Sequence, residues 1–251
     1  MKAFGAALAL SLALLGAERA LAAELPMPGP APIPPNSYYP VSPPLNWGGV
    51  YIGLNGGYGL GSSNWSNTLG STGTFAANGG VVGGTLGINY AGFGDWVLLG
   101  LEGDFDWSGA SGSAACSVLG PGVLGPNATC QTRIDWLTTF RLRAGYTWSH
   151  FLFYATAGGA AGDFRLSSSP SGASHNPTPP LGWTAGLGVE YLFTDAISAK
   201  LEYLYVNLGT VGCPSATLCS ADSPTGANRT NGSVSFTENL IRAGVNYKFS
   251  W

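Results

Sequence analysis

Fifteen of the chain's 23 charged residues (10 basic and 13 acidic) lie in strand-length segments, and within each segment those fifteen keep to one parity. Glu102, Asp104 and Asp106 hold even positions, while Leu99, Leu101, Phe105 and Trp107 hold odd ones. Arg133, Asp135, Arg141 and Arg143 stand opposite Ile134, Trp136, Phe140 and Leu142; Glu238, Arg242 and Lys248 stand opposite Ile241, Ala243, Val245, Tyr247 and Phe249. Asp163 with Arg165 and Lys200 with Glu202 also share a parity, and Glu190 stands between Val189 and Tyr191. Successive side chains of a strand point to opposite faces, so each segment reads as a strand with one charged and one apolar face. A helical period would scatter the same charges around a cylinder.

Eight such segments follow in order: 47–60, 78–91, 95–107, 132–146, 150–166, 181–193, 196–209 and 235–249. Their connections alternate between long (61–77, 108–131, 167–180, 210–234) and short (92–94, 147–149, 194–195). One end of the molecule therefore carries tight turns and the other large loops, the asymmetry of outer-membrane barrels. Ring residues gather at both ends of the segments. Trp47, Tyr90, Trp96, Tyr146, Trp148, Tyr191, Phe193, Tyr247 and Phe249 cluster toward the turns, and Tyr58, Trp107, Trp136, Phe164, Trp183 and Tyr205 toward the loops, as two interfacial belts would. The fold class read from this pattern is all-β: an eight-stranded antiparallel up-and-down transmembrane β-barrel.

Composition fits a lipid-facing exterior. Charged residues are 9% of the chain, against roughly 25% in soluble domains. The formal net charge of −3 offers no basic surface for nucleic acid. Residues 1–22 read as a signal peptide, with Lys2, an apolar run and the small-residue site Ala20-Leu21-Ala22. Residues 23–46 hold nine prolines from Pro26 to Pro44 and read as an extended periplasmic tail, leaving 47–251 for the barrel. Both mature termini are then expected in the periplasm, and any contact with the cell wall falls to the proline-rich tail.

With the charged face turned inward, an eight-stranded barrel encloses a lumen just wide enough for side chains to fill. The expected lumen network comprises Arg133, Arg141, Arg143, Arg165, Lys200, Arg242 and Lys248 against Glu102, Asp104, Asp106, Asp135, Asp163, Glu190, Glu202 and Glu238. Neighbour pairing across the long loops sets Asp106 beside Arg133 and Glu202 beside Arg242. Small inward residues, among them Gly57, Gly83, Ala157 and Gly186, leave room for long side chains. Four cysteines in an exported chain favour local disulfides, Cys116 with Cys130 and Cys213 with Cys219. No catalytic triad, metal site or cofactor motif is read: His150 and His175 stand at a turn and in a loop, away from the acidic run.

The opening Trp47-Gly48-Gly49-Val50-Tyr51-Ile52-Gly53 with Gly56-Gly57-Tyr58-Gly59, and the closing Ile241-Arg242-Ala243-Gly244-Val245-Asn246-Tyr247-Lys248-Phe249, resemble the small outer-membrane β-barrel "porin family" surface proteins of alphaproteobacteria. The resemblance implies an integral outer-membrane protein that contributes to envelope integrity and is exposed at the cell surface. It also implies an assembly signal read by the barrel-assembly machinery at Tyr247, Phe249 and the terminal Trp251. Large porins use sixteen or more strands, so eight argue against a wide channel. Three functions are thus expected to compete: a structural barrel filled by ion pairs, a narrow passive pore for ions or very small solutes, and a soluble periplasmic ligand-binding barrel. None of them is an enzyme.

Overall fold

The computed structural model describes residues 45–67, 70–91, 96–116, 127–169, 174–178, 180–213 and 232–249. The expected leader, almost all of the proline-rich tail, Cys219 and Trp251 lie outside these residues. Eleven strands are present among them: β1 (Gly49–Ser66), β2 (Ser71–Ala76), β3 (Gly79–Tyr90), β4 (Val97–Ser108), β5 (Ser111–Ala115), β6 (Thr129–Trp148), β7 (Phe151–Ser169), β8 (Ser174–His175), β9 (Leu181–Leu192), β10 (Ile197–Cys213) and β11 (Gly232–Phe249).

Eight of these close on themselves. The order β6-β4-β3-β1-β11-β10-β9-β7 is completed by pairing of β6 with β7, and every neighbour pair is antiparallel. Closure leaves no sheet edge within the ring, which is what a strand-built membrane span requires. First and last strands meet along their length, from Val50 opposite Phe249 to Ser66 opposite Ser233, so the two end motifs form one seam. The β6–β7 turn has two residues, Ser149 and His150, with Ser149 at φ 54°, a left-handed conformation suited to a tight hairpin.

The outward face of the ring is apolar. Leu54, Leu86, Leu101, Leu142, Leu187, Leu201, Ile241 and Val245 are all exposed, with Leu54 at 76%. Water would penalise such a surface and lipid would not, which removes the soluble periplasmic barrel from contention. Rings bound this band. At the turn end Tyr191 packs with Phe193 and Tyr247 with Phe249, each at 5.0 Å between centroids; at the loop end Trp183 packs on Tyr205 at 5.4 Å and Phe105 stacks on Trp136 at 6.0 Å.

The strands differ greatly in length. β3, β4 and β9 have 12 residues each, whereas β1, β6, β7, β10 and β11 have 18, 20, 19, 17 and 18. A tilted strand crosses hydrocarbon with about 9–11 residues. The longer strands therefore continue beyond the ring band on the loop side, where β2 pairs with β1, β5 with β6 and β8 with β7. Much of what reads in sequence as long loops is sheet. β2 and β5 (STGTFA and SGSAA) have almost no apolar alternation, so only their pairing partners define them.

Two bulges accompany this continuation. Between Ile134 and Leu137, β6 carries one residue more than β7, and the β10–β11 register shifts between Asn207 and Gly209. Gly209 takes φ 75° there, and its N–H donates to Asn207 Oδ1 at 2.8 Å. Each bulge moves the following side chains to the opposite face. Arg133 therefore leaves the face that Arg141 and Arg143 share, and beyond Gly209 it is Val211 rather than Thr210 that turns inward.

Candidate functional site

The lumen is filled in three tiers. At the turn end Trp47, Leu98, Leu152, Tyr154 and Leu192 form an apolar cluster. At the loop end a larger one gathers Trp65, Ile134, Leu137, Phe164, Leu208 and Phe236 together with Cys116 and Cys130. Trp47 and Phe164, read from sequence as members of the outer belts, are instead buried inside. Phe164 is edge-on to Phe236 at 5.8 Å, and the indole N–H of Trp65 donates to Thr132 Oγ1 at 2.8 Å. Cys116 and Cys130 are disulfide-bonded with their Cα atoms 5.6 Å apart, pinning the end of β5 to β6. The expected partner bridge from Cys213, the last residue of β10, runs to Cys219 outside the described residues.

Between the two clusters lies the charged tier. Arg141, on β6, donates from Nη1 to Glu202 Oε1 at 2.9 Å and from Nη2 to Asp104 Oδ2 at 2.6 Å, and its Nη2 also pairs with Glu102. Arg242, on β11, donates from Nη1 to Asp106 Oδ2 and from Nε to Glu202 Oε2, each at 2.8 Å, while its Nη2 lies 2.9 Å from Asp104 Oδ1. Lys200 reaches Glu102 Oε2 at 3.1 Å. The acids Glu102, Asp104 and Asp106 belong to β4, and Glu202 and Lys200 to β10, four strands apart by either route around the ring. These ion pairs cross the full width of the barrel.

Arg143 completes the tier toward the turns. It pairs with Glu190, donates to the Tyr51 hydroxyl at 3.1 Å, and sits over the Tyr154 ring at 3.6 Å from the centroid. Tyr51 in turn donates to Glu102 Oε2 at 2.6 Å. The Tyr51 ring covers Gly87 and the Tyr154 ring covers Gly188, each directly across its strand pair, and a methyl group at either glycine would collide with the ring. Thr85 and Thr139 donate to Asp104 at 2.8 and 3.0 Å, and Ser198 and Asn246 donate to Glu190. Arg141, Arg143, Lys200 and Arg242 thus face Glu102, Asp104, Asp106, Glu190 and Glu202, all 4% exposed or less. Charges taken out of water persist where they are paired and hydrogen-bonded in this way.

Tyr51, Tyr154, Thr85 and Thr139 are not among the residues singled out by charge. Tyr51, Thr85 and Thr139 share the inward parity expected of their strands, and that signal could have found them; Tyr154 stands on the β7 parity opposite to that strand's two charges, so the charge signal pointed away from it.

Six residues of the expected network lie elsewhere. Glu238 and Lys248 do face inward, but among the described residues neither makes an ion pair; Lys248 donates instead to the backbone carbonyl of Asn46. Arg133, Asp135, Asp163 and Arg165 are on the outer face, the two arginines 59% and 58% exposed. Asp106 consequently does not meet Arg133 and is held by Arg242, whereas Glu202 and Arg242 are direct register partners. Ala157 also faces out. On β7 the inward residues are Leu152, Tyr154, Thr156, Gly158, Ala160, Gly162, Phe164 and Leu166, so the parity of the two charges on that strand marked its outside.

A model of the outer membrane protein beta-barrel domain matches residues 40–249. The "31 kDa outer-membrane immunogenic protein" of Brucella melitensis biotype 1 is 31% identical over 258 residues, spanning 95% of this chain and 97% of that protein. The "22 kDa outer membrane protein" of Rhizobium leguminosarum bv. viciae is 29% identical and spans 84% of this chain and 82% of its own length. Among solved structures, the outer membrane protein OprG from Pseudomonas aeruginosa is similar with a TM-score of 0.44 and 16% identity, spanning 81% of this chain and 97% of that one. The matched residues take in every strand of the ring, and the chain belongs to the outer membrane protein beta-barrel domain family.

Proposed function

We propose that this protein is a structural and surface-exposed barrel of the outer membrane whose lumen is sealed, rather than a pore or an enzyme. The carrying observation is the pair of guanidinium groups on Arg141 and Arg242, each of which ties acids on β4 to Glu202 on the opposite wall. Opening a path would break several buried, charge-assisted bonds at once and strand carboxylates without partners. Apolar clusters on both sides of this tier add barriers to ion entry.

In this reading the tight-turn end and both termini face the periplasm, and the long-loop end faces outward. Outer-membrane lipid solvates the apolar band. Tyr247 and Phe249, outward on the last strand, would present the barrel to the assembly machinery together with Trp251. The relatives named as outer-membrane immunogenic proteins support exposure of the loop end at the surface.

Single-channel recording of refolded protein in a planar bilayer tests the sealed lumen. The expected result is a silent bilayer despite verified insertion. Steady openings, altered in size or selectivity by Arg141→Ala, would establish the narrow pore instead.

A further inference from the structure

Among the described strand residues, Arg133, Asp135, Asp163 and Arg165 are the only charged ones on the outer face of the barrel. Their arrangement is specific. Arg133 and Arg165 are direct cross-strand partners on β6 and β7. Like charges placed opposite each other on one face destabilise a strand pair unless something neutralises them. Asp135 and Asp163 do so together, one Asp135 oxygen meeting Arg133 Nε at 2.7 Å and the other meeting Arg165 Nε, with Asp163 Oδ2 3.9 Å from Arg165 Nε. Each arginine is thus held at its Nε, and the two side chains remain 59% and 58% exposed.

Their height matters as much as their direction. Trp136, three residues below Arg133 on β6, is the register partner of Trp107 and stacks with Phe105, so it belongs to the ring belt at the loop end. Three residues of strand place the arginines about 10 Å along the chain beyond that belt. Belt rings sit at the membrane interface, so this is the level of the lipid headgroups. The flanking outward positions are hydroxyl and amide groups, Ser111 in the same row and Gln131 with Ser167 in the next, and Ser167 donates to Gln131 at 3.3 Å.

We infer that Arg133 and Arg165 form a binding site for the phosphate of an outer-leaflet lipid headgroup, with Asp135 as the residue that positions both arginines. Two guanidinium groups at facing strand positions, each held at Nε, keep terminal N–H donors with which to meet the oxygens of a phosphate monoester. The bulge at Ile134 to Leu137 is the device that brings Arg133 to this face. The inference rests on the membrane reading above, with the loop end in the outer leaflet.

The test uses the full chain refolded in detergent and mixed with a bis-phosphorylated acyl glycolipid, and compares it with R133Q/R165Q. Both proteins are first checked for insertion into phosphatidylcholine vesicles and for heat-dependent gel mobility. Lipid retained after detergent washing is then counted by native mass spectrometry. The expected result is on the order of tenfold less retention by the variant, with the difference disappearing when the glycolipid lacks its phosphates. Equal retention by two inserted proteins would overturn the site alone, and failure of both to insert would overturn the membrane reading with it. Full displacement of the lipid by millimolar inorganic phosphate would overturn the assignment to a lipid.

Discussion

The part of the barrel between the ring belts and the part beyond the loop-end belt follow opposite rules. Between the belts the lumen is charged and the exterior apolar: Arg141, Arg242 and Asp104 are buried while Leu54 and Leu142 are exposed. Beyond the belt the lumen holds Trp65, Phe164, Phe236 and a disulfide, and the exterior carries Arg133 and Arg165. The same strands, β1, β6, β7, β10 and β11, run through both regions. What changes is the solvent outside. In lipid, apolar side chains face out and polar groups must find each other inside; in water the hydrophobic effect turns the apolar face inward again.

That contrast can be broken most forcefully inside. Arg141→Ala removes the cation between Glu102, Asp104 and Glu202 and should cost about 3–5 kcal/mol, because it leaves buried carboxylates uncompensated. Urea unfolding in lipid vesicles would measure it, and a loss no larger than that of Arg133→Ala would refute a cross-lumen clamp. Phe164→Ala, in the outer apolar cluster, should cost a similar ~3–5 kcal/mol through its cavity. Its loss should appear first as hydrogen exchange in β6 and β7 beyond the belt, with the lipid-embedded strands still protected.

On the outer face the two regions should respond differently to the same substitution. Leu101→Arg or Val245→Arg should cost about 2–4 kcal/mol near the bilayer midplane. Gln131→Arg, equally outward but beyond the belt, should change stability by less than about 0.5 kcal/mol. Equal costs would mean that hydrocarbon also covers the extension. Reduction of Cys116–Cys130, separated by 14 residues, should loosen β5 against β6 and leave the melting of the barrel unchanged. A lowered global transition would tie the two regions into one cooperative unit. Arg133→Gln, at an exposed ion-pair partner, should cost about 0–1 kcal/mol.

The errors in reading the charges follow from the same change of solvent. On β6 the charges Arg133, Asp135, Arg141 and Arg143 are all odd-numbered, so parity alone places them together; a bulge between Ile134 and Leu137, with no proline or glycine to announce it, separates them. On β7 the stretch from Ala157 to Gly162 is alanine and glycine on both parities, and Asp163 with Arg165 offered the only charge signal. That signal was sound, but it came from beyond the hydrocarbon, in the hydrated layer at and above the headgroups, where charge marks the outside. Trp47 and Phe164 misled in a related way, since a ring near a strand end can serve a belt or plug a lumen with equal ease.

The sequence by itself determined the eight spanning strands, their antiparallel order, the apolar band and the inward Arg141, Arg143, Lys200 and Arg242 with their acids. Those features are carried by alternation along each strand, a local property that survives without knowledge of the neighbours. Only the tertiary structure decided where the two bulges fall, how far the strands continue past the belt, and that Arg141 reaches across the lumen to Glu202 while Arg242 reaches across it to Asp104 and Asp106. Those depend on register and ring closure, which bring β4 and β10 face to face although nearly a hundred residues separate Glu102 from Lys200.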